Sequence, residues 1–183
     1  MAVTKPAGGW TYEGLFRLPD DGKHYEIIDG ELYEMPPPSL DHASVIMNLI
    51  ALLLPVATRL EGRLFTAPVG LFLPDADPVE PDLLLLLPEQ KHLTSRRGVE
   101  GPPALVVEVL CPSNPEHDRI TKRALYARGG VPEYWLVSPE AATVEVLVLE
   151  GGAYRTHLRA GGDEPVSSVV LPELSFPASA AFR

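Results

Sequence analysis

The sequence predicts an α+β fold in which a mixed central β-sheet is flanked by helices. Two apolar runs, residues 83–87 and 104–110, are unbroken except for one acid, and such runs are typical of strands buried on both faces. The stretch from residue 39 to residue 60 instead repeats its apolar side chains at helical spacing. A chain that contains both kinds of segment favours a sheet with helices packed against it.

The chain length favours one domain. A sequence of 183 residues is long enough to bury a substantial core. We therefore expect a single domain over residues 1–183, with residues 1–22 forming an N-terminal capping segment that includes a short helical piece from residue 11 to residue 17.

The elements of the first half follow from local signals. Two alternating runs flank Asp29-Gly30, which is a strong signal for a two-residue β-hairpin. Ser39 is a suitable N-cap for the long helix, and Pro55 is expected to end or kink it. Residues 63–73 predict a strand that bends at Pro68.

The second half alternates strands with shorter connections. The sequence predicts a strand over 82–87, a mobile basic loop over 89–101, and a strand over 105–110. A short helix over 117–128 is expected to end at Gly129-Gly130. The remaining strands are predicted at 134–138, 143–150 and 154–158, with a short strand and an edge in the tail.

Composition narrows the class of protein. Hydrophobic residues make up 45% of the chain and charged residues 22%, as in a globular domain. No apolar run reaches the roughly 18 residues of a membrane span, and the start lacks an apolar signal core. We therefore expect a cytoplasmic protein without a membrane partner. Cys111 is the only cysteine, which excludes an internal disulfide and a cysteine zinc site.

The charge is negative overall but uneven. The net charge of -10 argues against broad electrostatic wrapping of nucleic acid. Seven of the fifteen Lys and Arg residues nevertheless lie between Lys91 and Arg128. The sequence therefore leaves open the alternative of a local basic patch on the surface of an otherwise acidic protein.

Two acids stand in apolar surroundings. Asp82 begins the leucine run, and Glu108 lies inside the run of residues 104–110. A carboxylate inside a buried strand is costly unless a positive group satisfies it. Two carboxylates, together with the backbone carbonyl of Val109, would suit Mg²⁺ or Mn²⁺ because hard cations prefer oxygen ligands. The nearest lysine on a regular element is Lys122, which a helix returning over the sheet would bring back to Glu108.

Each of these residues also has a structural explanation. Asp82 suits a turn cap, and Glu108 suits a buried ion pair with Arg119 or Lys122. Lys122 also has the helical spacing to pair with Asp118. Three further residues have ordinary roles as alternatives, namely His42 as a capping group, Tyr126 as an aromatic at the core edge and Cys111 as a small buried side chain.

Several motifs occur together in one order: Pro81-Asp82, VVEVLCPSN at 106–114, then Asp118, Lys122 and Tyr126, and GVPEYWLVSP at 130–139. With the hairpin at 25–35 and the helix that opens near His42, they resemble a large bacterial restriction endonuclease family that is abundant in cyanobacteria. That family resembles part of the PD-(D/E)XK nuclease superfamily. The resemblance covers roughly residues 24 to 178.

The resemblance implies a restriction-endonuclease-like core with Asp82 and Glu108 as its metal-binding acids. The usual lysine of the superfamily would fall on position 110, which is Leu. The resemblance therefore implies that the lysine has moved to the following helix, as Lys122.

The resemblance also implies that an acid from the N-terminal part joins the site. Among the hairpin acids we prefer Glu31 over Glu26 and Glu34. The family more often has Ser where this chain has Cys111.

Two functions follow as hypotheses. The first is a Mg²⁺-dependent phosphodiesterase that cuts DNA as a homodimer, although RNA stays open as a substrate. Its expected phosphate contacts are Lys91, Arg96, Arg97, Arg119 and Arg123, and its possible accessory residues are His42 and Tyr126. The second is a nuclease-like module without catalysis that binds or dimerises, which the net charge and the leucine at position 110 favour.

Overall fold

The N-terminal part forms a helical turn and a β-hairpin. The computed structural model describes residues 6, 8–15, 17–18, 20–111 and 115–183. Helix α1 (Tyr12–Leu15) precedes strands β1 (His24–Ile28) and β2 (Glu31–Met35), which pair in antiparallel register. Asp29 and Gly30 have φ values of 53° and 73°, as the tight turn of a two-residue hairpin requires. The predicted hairpin is confirmed.

Helix α2 (Leu40–Arg59) is the longest helix among the described residues. The Ser39 side chain accepts a hydrogen bond from the backbone N–H of His42, so the predicted N-cap is confirmed. The helix continues through Pro55, so of the two expected outcomes, an end or a kink, the end is wrong. Leu53 and Val56 on either side are buried in the core, and their burial offsets the hydrogen bond that proline removes.

By length and composition alone, α2 would also qualify as a membrane span, with a mean hydropathy of 1.7. One face of the helix packs into the core, through the buried residues Val45, Leu49, Leu53, Val56 and Ala57.

The remaining strands are β3 (Arg63–Thr66), β4 (Gly70–Phe72), β5 (Leu83–Leu86), β6 (Gly98–Glu100), β7 (Leu105–Val109), β8 (Glu133–Ser138), β9 (Thr143–Glu150), β10 (Ala153–Gly161), β11 (Pro165–Ser167) and β12 (Ser175–Pro177). Six of them form a central sheet in the order β10-β9-β8-β7-β5-β3. Only the β7–β8 pair in this sheet is parallel. The structure therefore confirms a mixed central sheet flanked by helices.

The central sheet separates two hydrophobic clusters. Helix α2 and the C-terminal segment cover one face, and helix α3 (Arg123–Arg128) covers the other. A π-helical turn over His117–Lys122 leads into α3, and the Tyr134 hydroxyl donates a hydrogen bond to the carbonyl of Asp118 within this turn. Insertions of this kind re-aim side chains and are frequent at functional sites.

Two predicted segments differ in the structure. The strand expected over 63–73 is two strands, because β3 pairs with β5 in the central sheet whereas β4 pairs with β6 in a separate sheet. Pro68 lies between them and has no N–H for a continuous ladder.

The loop expected over 89–101 contains a 3₁₀-helix (Pro88–Leu93) and strand β6. Gln90 stabilises this segment, because its side chain accepts a hydrogen bond from the Leu87 N–H and donates one to the Pro102 carbonyl.

Candidate active site

The strand register brings Asp82 and Glu108 together. Strands β5 and β7 are antiparallel, with Leu83 opposite Val107, so the next position in the same register places Asp82 opposite Glu108. Residues directly opposite each other in an antiparallel pair point to the same face. Both acids line one cavity of about 550 Å³, as expected for two groups that act on one ligand.

Glu108 is buried and receives two hydrogen bonds on one oxygen. Lys122 Nζ lies 2.9 Å from Glu108 Oε1, and the Tyr126 hydroxyl lies 2.6 Å from the same atom. Burial raises the pKa of Glu108 well above its ordinary value, with Asp118, Asp82 and Glu26 adding to the effect while Lys122 opposes it. The predicted buried pair of Glu108 and Lys122 is therefore present, and it lies in the cavity wall.

Lys122 reaches this position from the π-helical turn. Burial alone would lower its pKa, but the carboxylates of Glu108, Glu26 and Asp118 raise it above the ordinary value of lysine. Its Nζ lies 3.4 Å from Glu26 Oε2 and 3.9 Å from Asp118 Oδ1. The lysine is thus held as a cation among three carboxylates.

The hairpin contributes Glu26 to the cavity, whereas Glu31 was expected. Glu26 is buried, and its carboxylate accepts hydrogen bonds from His117 Nε2 at 2.9 Å and the Glu80 N–H at 3.2 Å. Although burial opposes ionisation, Lys122 and His117 lower the pKa of Glu26. Glu31 begins β2 with an exposed side chain and is not among the residues that line the cavity.

A sequence signal for Glu26 was available. It is followed directly by Ile27 and Ile28, which are almost fully buried. An acid next to an apolar run was also the observation that singled out Asp82. Glu26 and Glu31 lie on the same face of the hairpin, because Glu31 pairs with Ile28, two residues after Glu26. The structure brings Glu26 to the cavity from the middle of β1, whereas Glu31 lies beside the turn and is exposed.

Asp82 is held by a backbone group and a histidine. Asp82 Oδ2 accepts a hydrogen bond from the N–H of Val109 at 2.7 Å, and Oδ1 lies 3.1 Å from His42 Nε2. Burial lowers the pKa of His42, but the hydrogen bond to Asp82 and the negative charges of Asp82 and Asp118 together outweigh burial, so the net direction is upward. His42 therefore makes two contacts. Its backbone N–H donates to the cap residue Ser39, and its ring orients Asp82.

Two residues of the π-helical turn were not given a role at the site. His117 is buried against Glu26, and its ring lies 4.4 Å from that of Tyr33. Asp118 lines the cavity, and burial raises its pKa to about 6. Helical spacing pairs Asp118 with Lys122, but the sequence gives no signal for the π-helical turn that places His117 beside Glu26.

The predicted phosphate contacts lie elsewhere. None of them lines the cavity in the part of the chain that the structure describes, and three have internal partners. Arg97 pairs with Glu100 and lies over the ring of Phe72. Arg119 pairs with Glu145, and Arg123 donates to the carbonyl of Tyr154. The other two predicted phosphate contacts, Lys91 and Arg96, also do not line the cavity. The structure does not bring this basic set to the acids.

The residues present fit a divalent cation held by few protein ligands. Within residues 20–111, 115–183 and the described N-terminal positions, no group of three or more His, Cys, Asp or Glu side chains is arranged as a ready-made ligand set. The carboxyl groups of Glu26, Asp82, Glu108 and Asp118 nevertheless line the cavity together with a single lysine among the described residues, Lys122. A cation held by two carboxylates, a backbone oxygen and water would balance part of this negative charge.

Comparisons with known proteins agree with this architecture. The family model of Uma2, described as "Putative restriction endonuclease", matches residues 12–179. A crystal structure of a "putative nuclease belonging to DUF820" from Anabaena variabilis superposes with a TM-score of 0.76 at 18% sequence identity, covering 94% of this chain and 97% of that one. No curated protein matches the chain at a significant level. The structural likeness shows the fold, and the family match spans almost the whole sequence.

Proposed function

Since the chain belongs to the Uma2 family of restriction-endonuclease-like proteins, we propose that it is a divalent-metal-dependent endonuclease that hydrolyses phosphodiester bonds in DNA. The supporting observation is the placement of Asp82 and Glu108 on the same face of the sheet, in the wall of one cavity, with Lys122 donating to Glu108. On this proposal Asp82, Glu108 and Lys122 would serve as the acids and the lysine of a PD-(D/E)XK-like site, with the lysine supplied by the helical segment that follows β7.

Asp82 and Glu108 would hold Mg²⁺ or Mn²⁺, with the carbonyl of Val109 as a further ligand. When bound, such a metal supplies a water of lowered pKa and neutralises charge that develops on the phosphate. The contact between Asp82 and the Val109 N–H fixes one carboxylate oxygen. The contact with His42 fixes the other carboxylate oxygen.

Lys122 acts as a fixed positive charge. Its raised pKa keeps it protonated at neutral pH, so it donates a hydrogen bond to the attacking water or to the phosphate and does not remove a proton. A preorganised cation of this kind stabilises negative charge as it forms. The role proposed for Lys122 is therefore to position the water and to stabilise the transition state.

Glu26, His117 and Tyr126 position this lysine and its partner acid. Glu26 contacts Lys122 and His117, while Tyr126 donates to Glu108. None of these contacts needs to reach the substrate, so the three are positioning residues. Such supporting partners commonly affect metal affinity or activity about 10–100-fold.

The rival proposal is a nuclease-like module that binds or dimerises without catalysis. Two observations favour it: the net charge is -10, and no arginine lines the cavity within the described residues. Four further features remain proposals that come from the sequence. They are the homodimer, the cytoplasmic location, DNA as the substrate in preference to RNA, and the single-domain organisation.

Nicking of supercoiled plasmid separates the two functions. We expect the parent to convert supercoiled plasmid to the open circle with Mg²⁺ or Mn²⁺, and to lose this activity with a chelator or in Asp82→Asn. The matched control is Asp77→Asn, an acid on the preceding turn that does not line the cavity. If the parent and Asp82→Asn cut equally, the activity comes from a contaminant and the endonuclease proposal fails.

A further inference from the structure

Helix α2 exposes an apolar stripe made of Leu40, Ala43, Met47, Ala51 and Leu54. The three large side chains are 87%, 64% and 46% exposed, in that order, and both alanines are exposed. At 3.6 residues per turn the five positions fall within an arc of about 80°. The core-facing residues of α2 occupy the opposite side, so the stripe is a second apolar face with no partner inside the described part of the chain.

The order of side chains along the stripe is symmetric about Met47. Counted from Met47, leucines stand seven residues away on each side and alanines stand four residues away on each side. Two copies of α2 that pack antiparallel about a two-fold axis at Met47 would place Leu40 of each copy against Leu54 of the other. Each Ala43 would then face Ala51 of the other copy. An isologous interface requires such a self-complementary patch.

The composition also suits close contact between helices. Alanine on either side of the central methionine lets two backbones approach to the 8–10 Å that packed helices adopt. Asp41 and Arg59 are the only Asp, Glu, Lys or Arg residues in α2, and neither belongs to the stripe. Charged residues are likewise depleted from the centres of protein interfaces.

We propose that the stripe is the interface through which a second copy of this chain binds in solution. Contiguous exposed apolar patches mark interaction sites, and the symmetric order of the side chains selects an identical partner over an unrelated one. A membrane surface fits less well, because interfacial helices carry Lys and Arg on their polar face whereas α2 carries one arginine and one aspartate. This inference does not depend on the proposed catalytic function.

The proposed axis would relate the two cavities. His42 lines the cavity and lies five residues from Met47, which is about 7.5 Å along the helix. The two copies of His42 would therefore stand about 15 Å apart along the helix axes. The dimer would present both cavities near one two-fold axis.

The contact should be weak and should strengthen with salt. The stripe spans about 21 Å of helix, a short contact compared with the roughly 800 Å² per partner of stable complexes. We therefore expect dissociation at micromolar concentrations. Each chain carries a net charge of -10, so two copies repel at low ionic strength, and salt screens that repulsion.

Sedimentation velocity across the micromolar range tests the interface. We expect the parent to shift from monomer to dimer as concentration rises, and Met47→Glu to remain monomeric because it places two carboxylates together on the axis. Ile120→Glu is the matched control: Ile120 is 63% exposed, lies outside the stripe, and receives the same change. Circular dichroism checks that both variants fold. A parent that stays monomeric, or a Met47→Glu variant that assembles like the parent, overturns the proposal.

Disulfide trapping gives an independent readout. In a Cys111→Ser background, Met47→Cys places one thiol on the axis, so we expect it to form a covalent dimer with its own copy under mild oxidation. Ile120→Cys in the same background should stay monomeric. Equal cross-linking of the two variants would contradict an axis at Met47. If the parent stays monomeric and floats with phosphatidylglycerol vesicles, the stripe binds a membrane surface, and the proposal of a second copy is wrong.

Discussion

Lys122 Nζ lies 2.9 Å from Oε1 of Glu108, although strand β7, which carries Glu108, contains no lysine. The chain crosses from β7 to the π-helical turn and returns the ammonium to the acid. The lysine is therefore supplied by a separate element, and its position depends on how that element packs on the sheet.

Removing the ammonium should slow catalysis strongly while leaving a folded protein. In Lys122→Met, we expect the rate of plasmid nicking to fall by roughly 10²–10³-fold, the scale for one lost stabiliser of transition-state charge. The remaining carboxylates can take up protons, since the pKa values of Glu108 and Asp118 are already raised. Circular dichroism reports whether the fold persists. Lys23→Met, which removes a surface lysine paired with Glu34, should leave the nicking rate unchanged.

Glu26 and Glu31 should respond differently to the same substitution. Glu26→Gln weakens the contacts with Lys122 and His117, so we expect nicking to fall about 10–100-fold, as for other supporting partners. Glu31→Gln changes an exposed side chain at the start of β2 and should cut at the parental rate. Initial nicking rates at saturating metal measure the difference. Equal rates for the two variants would remove Glu26 from the site.

Asp118 should lower the stability of the metal-free protein at neutral pH. Burial raises its pKa to about 6 from an ordinary value of 3.8, so the folded state binds this proton more tightly than the unfolded state. The free energy of unfolding therefore falls as pH rises between these two values. Asp118→Asn mimics the protonated form, and it should stabilise the protein at pH about 7 by about 3 kcal/mol and change it little at pH about 4.

Urea unfolding of chelator-treated parent and Asp118→Asn at the two pH values measures this effect. A variant that is less stable than the parent at neutral pH would show that the pairing of Asp118 with Lys122 outweighs the cost of burying the charged carboxylate.

Glu133 is a buried acid with a structural role. One oxygen accepts hydrogen bonds from Trp135 Nε1 and Ser168 Oγ, and the other accepts from the N–H groups of Val169 and Val170. In Glu133→Gln, the amide nitrogen would face two donors, so we expect a loss of about 3 kcal/mol in the free energy of unfolding. Chemical denaturation measures this loss. The nicking rate per folded molecule should stay at the parental value, in contrast to the cavity acids.

The sequence was sufficient for the central sheet and for the meeting of Asp82, Glu108 and Lys122. Buried strands read as apolar runs, and the acids interrupt or flank those runs. The sequence did not select Glu26 over Glu31, because both acids lie on the same face of the hairpin. Only the contacts of Glu26 with His117 and Lys122 in the folded chain distinguish the two.

Two other features depend on packing that has no local signal. The π-helical turn adds a residue to the helical repeat and so places His117 beside Glu26. The basic residues expected to contact phosphate are drawn into pairs such as Arg97 with Glu100 and Arg119 with Glu145, which only the folded chain shows.

Metal binding by the cavity acids is the property on which the proposed function depends, and isothermal titration calorimetry measures it without any substrate. Titration of Mn²⁺ or Mg²⁺ into the parent should show one site per chain, with Asp82→Asn losing that site and Glu31→Gln retaining it. No heat of binding to the parent at millimolar metal, or unchanged binding in Asp82→Asn, would contradict a cation site between Asp82 and Glu108.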